Sequence, residues 1–298
     1  MTRPIALDPA SDLVTIPLAD RSRRSVNERA SLTALRGIGW LVLRFGVLAA
    51  LVIVWQLAAV AAQNPFFPPP LRIVARIQQL WFDGPPLHLW TSPAYWADVA
   101  PSLARMLAGW ILGSLAGALL GTAGGASRTV RQMVDPVAQF LRALPTPAVL
   151  PVFLILFGAS DTMRVLVIAF GCTWPVMLNA MQATAHIDQQ ARDTAWSLRL
   201  GPWRRLVQID LRFATPAIFA GMRIGLALAL VLMVLSEWIV STSGLGFFLV
   251  DSQRRFEFEG MWAAMVLIGV VGYLTNTAFT GVERRLLRWH RGSRAQSE

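Results

Sequence analysis

The stretch HIDQQARDTAWSLRLGPWRRLVQIDLRFATP, residues 186–216, is the longest polar interruption between apolar runs in the second half of the chain. Its first part has the three- and four-residue apolar spacing of an amphipathic helix: Ile187, Ala191, Thr194 or Ala195, and Leu198. Gly201 and Pro202 then break this helix, since glycine permits a left-handed turn and proline can only open a new helix. We predict two short helices joined by a sharp turn, facing water between two membrane spans.

A residue pattern in this stretch is similar to that of a known protein family. Asp193-Thr194-Ala195 stands in the place of a Glu-Ala-Ala triplet, and Ser197-Leu198 matches the Ser-Leu that follows it. The pattern resembles the cytoplasmic EAA loop of the permease subunits of ATP-binding-cassette (ABC) importers, in the nitrate, taurine and sulfonate branch. The resemblance implies that the loop 186–212 couples the chain to a separate ATPase through these residues: Asp193, Thr194, Ala195, Ser197, Leu198 and Gly201.

One position departs from the family pattern at the turn. Arg199 stands where the family has glycine, and Gly201 follows two residues later. A left-handed conformation costs a non-glycine residue roughly 1 kcal/mol or more. We therefore predict that the first helix continues through Arg199 and that the turn moves to Leu200–Pro202. A longer loop of this kind would require either a matched ATPase or a second, different permease that keeps the standard motif.

Composition places the chain among helical membrane proteins. Apolar residues make up 55% of the sequence and charged residues 15%. Six apolar runs approach the roughly 20 residues that cross a bilayer: Gly37–Ala62, Leu103–Ala126, Pro136–Phe157, Met163–Met181, Phe213–Val240 and Met261–Val282. We predict an all-α polytopic membrane protein with six transmembrane helices, and the resemblance implies the type I (MetI-like) permease fold. The permease domain covers residues 36–290, between cytoplasmic tails at 1–35 and 291–298.

Charge is carried on the basic side by arginine alone. The net charge is +10 and the sequence contains no lysine, which excludes a G-x-x-x-x-G-K-[ST] phosphate loop. Any ATP must therefore bind to another subunit, and we expect no cofactor, metal site or catalytic residue in this chain. The arginines lie beside apolar spans, which favours membrane retention over nucleic-acid binding. The positive-inside rule places both termini and the loop 186–212 in the cytoplasm.

Several residues inside the apolar runs are candidates for the translocation path or for structural support. Arg223 and Glu237 lie within one span, where charge is costly and marks function by default. Pro145, Pro147 and Pro151 remove backbone donors and predict a kinked segment. For Arg223 we favour structural anchoring, whereas both roles stay open for Glu237. The glycines at four-residue spacing in the run Leu103–Ala126 predict close helix packing.

The resemblance implies a complete set of partners. These are cytoplasmic ABC ATPase subunits, a periplasmic or lipoprotein solute-binding protein, and a second permease that is either a copy or a paralogue. It also implies a bacterial plasma (inner) membrane location and a small, anionic solute such as a sulfonate, taurine or nitrate. The sequence leaves open which solute is carried and whether the permease is a homodimer.

Other classes of membrane protein fit the sequence less well. An intramembrane serine protease needs a G-x-S-G motif and a histidine within a span, yet His88, His186 and His290 lie outside the runs. A channel needs a filter-like re-entrant loop, which we do not find in the sequence. A secondary, ion-gradient-driven transporter is the alternative that we retain, although such folds usually contain internal repeats.

Overall fold

The computed structural model describes residues 46–86, 90–187 and 197–287. These residues are helical without any strand, which confirms the all-α prediction within the part of the chain that the structure describes. The helices are α1 (Gly46–Ala62), α2 (Pro70–Trp81), α3 (Ala100–Ala126), α4 (Arg128–Ala143), α5 (Thr146–Phe157), α6 (Asp161–Ala185), α7 (Leu211–Val240), α8 (Leu245–Arg254) and α9 (Phe258–Leu286). The chain divides into two units, Met1–Ala62 and Gln63–Glu298, and α1 belongs to the first of them.

Four of the helices are long and apolar enough to cross a membrane. They are Tyr95–Ala126, which is α3 with the π-helical turn before it, α6, Trp203–Val240, which includes α7, and α9. The bent pair α4 and α5 brings the number to five if the two together form one span. The first predicted run begins outside the described residues, and α1 covers only its second part. The count of six spans is compatible with these helices and remains a prediction.

Helices α3 and α6 pack with their backbones in direct contact. The contact follows the glycines of α3 at four-residue intervals. A Cβ atom added to Gly113 would lie 2.4 Å from the carbonyl oxygen of Ala169, and one added to Gly121 would lie 2.3 Å from that of Met177. No side chain fits in such a gap, which confirms that the glycine spacing serves helix packing.

The core of the second unit lies where α7 joins this pair. Met106 of α3, Ile168 and Cys172 of α6, and Leu232 and Met233 of α7 form a cluster in which no member is more than 4% exposed. Cys172 is fully buried there, so it acts as a small apolar residue, as its place in an apolar run predicts. This three-helix core fixes the helix ends on which the charged residues lie.

The third predicted run is two helices instead of one. Helix α4 ends at Ala143 and α5 begins at Thr146, and the two axes are bent by 97° at the break. Pro145 lies between them, and Leu144 directly before it is in an extended conformation that ends α4. The kink that the prolines predict is therefore confirmed at Pro145, and the run Pro136–Phe157 is divided between the end of α4 and the whole of α5.

Candidate functional site

The described part of the predicted coupling loop is a turn followed by a short helix. Ser197 is helical, Leu198 and Arg199 form a turn, and a new helix occupies Pro202–Arg205. A π-helical turn, Leu206–Asp210, then leads directly into α7. The prediction that Gly201-Pro202 opens a second helix is confirmed. Asp193, Thr194 and Ala195 lie outside the described residues, so their place in the loop stays a prediction.

The turn itself differs from the sequence prediction. The first helix does not continue through Arg199; it ends at Ser197, and Arg199 adopts a left-handed conformation with φ of 48°. Gly201 is not among the described glycines with positive φ, although glycine would take that conformation at little cost. The turn has therefore not moved, and the predicted longer first helix is wrong. The strain of roughly 1 kcal/mol falls on an arginine instead.

The loop exposes large apolar side chains beside its arginines. Leu198 is 64% exposed and Trp203 is 70% exposed. Its second half packs against α3 at the turn Leu206–Asp210. Asp210 is only 2% exposed there, and its Oδ2 lies 3.6 Å from Nε of Arg205. The loop therefore combines a fixed base with an apolar, basic tip. We name the described segment Ser197–Arg205 the coupling tip.

Glu237 lies at the other end of α7 and is fully buried. Its carboxylate is 2.8 Å from Nη1 of Arg105 and 2.8 Å from Oγ of Ser102, both on α3. The backbone N–H of Gly246 donates to Oε2 at 3.0 Å. Gly244 contacts the carboxylate from the turn after α7, with φ of 112° and no room for a Cβ atom. The carboxylate thus joins the first turn of α3, the end of α7 and the start of α8.

Arg105 extends this arrangement to α6. Its Nε lies 2.9 Å from Oδ1 of Asp161, which also lies 2.6 Å from Nη1 of Arg164. Arg164 is 6% exposed and donates to the carbonyl oxygen of Val240 at 2.7 Å. We name the five side chains that make these contacts the Glu237 cluster: Ser102, Arg105, Asp161, Arg164 and Glu237. Glu237, Arg105 and Arg164 are buried and Asp161 is mostly exposed, and the contacts among them join the ends of α3, α6 and α7.

The sequence contained a signal for most of this cluster that we did not use. Arg105 lies inside the apolar run Leu103–Ala126, and charge within a span is a reason to expect a partner. Arg164 lies at the start of the apolar run Met163–Met181, and it is buried in the first turn of α6. Ser102 has no such signal, because a serine near the start of a span is common and its partner is far away in sequence.

The remaining candidate residues lie apart from both places. The Arg223 side chain is 47% exposed and pairs with Glu283 of α9, so Arg223 and Glu237 have different partners. Pro145, Pro147 and Pro151 are all exposed, along the bend and the first turns of α5. Within the described residues, no group of three His, Cys, Asp or Glu side chains could hold a metal ion.

Comparison with known proteins decides the family. Residues 106–288 match the family model described as "Binding-protein-dependent transport system inner membrane component", which covers more than half of the chain. The chain belongs to this family. It is a permease subunit of an ABC importer, and its relatives are membrane-spanning transport subunits as well.

Three similar relatives extend the match over most of the chain. The taurine transport system permease protein TauC of Escherichia coli is 30% identical over 83% of this chain and 90% of its own length. The putative aliphatic sulfonates transport permease protein SsuC of Bacillus subtilis is 28% identical over 81% of this chain and 85% of its own length. The nitrate import permease protein NrtB of Synechocystis sp. is 26% identical over 76% and 82%.

The fold of the permease is that of a solved transporter. Two inward-facing crystal forms of the MetNI methionine ABC transporter match with TM-scores of 0.55 and 0.54 at 16% identity. They cover 63% and 65% of this chain and 94% and 98% of their own chain. This similarity confirms the type I fold that the resemblance implied. A secondary transporter is not favoured by any of these matches.

Proposed function

We propose that this permease forms part of the translocation path for a small anionic solute, and that the coupling tip transmits the work of a separate ATPase. The relatives are named for aliphatic sulfonates, taurine, nitrate and bicarbonate, which share an anionic oxygen-bearing group. We assign the same substrate class to this chain. An external solute-binding protein delivers the solute, and a second permease completes the path.

The observation that carries the coupling role is the exposed tip between α6 and α7. A tryptophan and a leucine in water at the end of an arginine-rich loop are unfavourable for an isolated subunit, because their apolar surface remains hydrated. Tryptophan, together with arginine, is also enriched at the centres of protein interfaces. The loop 186–212 therefore suits a protein partner better than a lipid surface. ATP binds to that partner and not to this chain.

The orientation of the permease follows from the same loop. With the coupling tip in the cytoplasm, the C-terminal end of α6 and the N-terminal end of α7 lie at the inner face of the membrane. The Glu237 cluster, at the opposite ends of these helices, then lies near the outer face, where the binding protein docks. Both termini are cytoplasmic in this arrangement, which matches the arginine bias of the sequence.

The path through the membrane is best supported at the bend between α4 and α5. Three exposed prolines lie there, and Pro151 removes a backbone donor inside α5. A carbonyl oxygen left without a donor in this way is tolerated only beside protein or water. We propose that Pro145, Pro147 and Pro151 line the path or the contact with the second permease. Arg223 supports α7 through Glu283 and is a structural residue in this proposal.

Uptake by the reconstituted importer tests the function. Proteoliposomes that contain the permease, its ATPase and the binding protein should accumulate an alkanesulfonate, taurine, nitrate or bicarbonate. This accumulation should occur only when ATP is supplied to the ATPase. Omission of the ATPase should abolish accumulation, even with an imposed proton or sodium gradient. Gradient-driven uptake by the permease alone would support the secondary-transporter alternative and contradict the proposal.

A further inference from the structure

The left-handed turn at Arg199 is strained although a glycine stands two residues away. The turn could be formed without strain by glycine at position 199, as in the family pattern that the loop resembles. A residue held in a disfavoured backbone conformation, where a cheaper residue would suffice, points to a use for its side chain. Arg199 is therefore a candidate for a functional contact and not only for a turn.

The surroundings of Arg199 indicate what this contact is. The residue is exposed, and within the described residues neither Arg199 nor Arg204 forms an ion pair, whereas Arg205 lies close to Asp210. Leu198 and Trp203 flank it with more than half of their surface exposed. Arginine beside exposed apolar anchors is a common composition of an interface centre, and guanidinium recognises carboxylates through paired hydrogen bonds.

We propose that Arg199 determines which ATPase this permease accepts, by pairing with a carboxylate in the groove that receives the coupling tip. This inference rests on the proposed function, since it deepens the role of the same loop. Leu198 and Trp203 supply the apolar contact. Arg199 supplies a charge that an ATPase without an acidic residue at the matching place cannot use. The Arg199 side chain is exposed to solvent in the left-handed turn.

The test uses variants of Arg199 for which a functional side chain and a purely structural turn predict opposite changes in ATPase affinity. Arg199→Gly removes the side chain and also relieves the turn, so a purely structural role predicts equal or stronger binding of the ATPase. Our proposal predicts that the affinity of the ATPase for the nanodisc-embedded permease falls roughly tenfold, as for loss of one interfacial charge pair. Arg199→Lys keeps the charge and the strain, and it should restore part of the affinity.

Salt and matched variants separate the possible outcomes. The difference between wild type and Arg199→Gly should shrink as salt rises from about 50 mM to about 500 mM, because ions screen the pair. Arg142→Ala removes an exposed arginine from the end of α4 and should leave the affinity unchanged. An equal loss in Arg142→Ala, or unchanged affinity in Arg199→Gly, overturns the proposal.

Trp203→Ala distinguishes the failure of this inference from the failure of the proposed function. If Trp203→Ala lowers ATPase affinity and Arg199→Gly does not, the coupling tip docks but Arg199 does not select the partner. If neither variant changes the affinity, the tip is not the docking site, and the proposed coupling role falls with the inference.

Discussion

Arg105 and Glu237 form a buried ion pair between α3 and α7, with Nη1 2.8 Å from Oε1. The arginine side chain is 8% exposed and the glutamate side chain is fully buried. Such a pair is costly to desolvate, and removal of one of the two side chains leaves the other as an uncompensated buried charge. The pair therefore makes the ends of two spans depend on each other.

Replacement of Glu237 should destabilise the permease more than replacement of Arg223, which lies in the same helix. Glu237→Ala leaves Arg105 without its buried partner, and we expect a loss of about 3–5 kcal/mol. Arg223→Ala, which breaks the half-exposed pair with Glu283, should cost about 1 kcal/mol or less. Thermal unfolding of the detergent-solubilised permease measures both. A similar loss in the two variants would contradict the structural role of the cluster.

The double variant provides the control for this prediction. If Arg105 and Glu237 interact directly, the double replacement Arg105→Ala with Glu237→Ala should cost less than the sum of the single replacements, by about 0.5–3 kcal/mol. Additive losses would show that the two residues act independently.

A second prediction compares the loss of stability when Gly244 or Gly158 is replaced by alanine. Both have a backbone conformation that is essentially restricted to glycine, with φ of 112° and 64°, so replacement by alanine strains either turn by about 1–3 kcal/mol. At Gly158 the added Cβ atom meets nothing within 4 Å, whereas at Gly244 it lies 2.5 Å from the carboxyl carbon of Glu237. Gly244→Ala should therefore lower the unfolding temperature further than Gly158→Ala, and equal shifts would argue against the packed contact.

The coupling assignment predicts the effect of a charge at Ala195. Ala195→Glu should reduce ATP-driven uptake more than tenfold, because the groove of the ATPase would receive a larger, charged side chain. Membrane insertion should be unchanged, since the loop lies in water. Thr129→Glu adds the same charge at an exposed position of α4 and serves as the control. Normal uptake by a correctly inserted Ala195→Glu permease would refute the assignment.

The proposed orientation predicts the activity of reporter fusions. A reporter that is active only in the cytoplasm should be active after Arg199 and inactive after Gln253. Arginine bias is the physical reason, because positively charged loops are retained on the cytoplasmic side. Full-length expression of both fusions, checked by immunoblot, is the control, and reversed activities would refute the orientation.

Local patterns were sufficient to predict the helices and their closest contacts. Apolar runs predicted most of the spans, glycines at four-residue spacing predicted that another helix packs closely on α3, and Pro145 predicted a break before α5. The structure identifies α6 as the helix that packs on these glycines. Each of these signals acts within a few residues along the chain. The bend of 97° could not be predicted in the same way, because proline prevents helix continuation without fixing the direction that follows.

The Glu237 cluster and the Arg199 turn show why the rest was not predicted. Ser102 and Glu237 are separated by the whole of α4, α5 and α6, so only the packed helices bring them together. At Arg199 we expected local strain to move the turn to Gly201. The structure places the strain on arginine, so backbone preference alone does not decide this turn.

The glycine contact between α3 and α6 limits how the transporter can move. The carbonyl oxygens of α6 sit where side chains of α3 would otherwise be, from Gly113 to Gly121. If α3 slid along this contact by one residue, the larger side chains next to its glycines would collide with the backbone of α6. The two helices therefore move as one rigid body. The opening and closing of the path must occur at other helix contacts, where side chains meet and backbones do not.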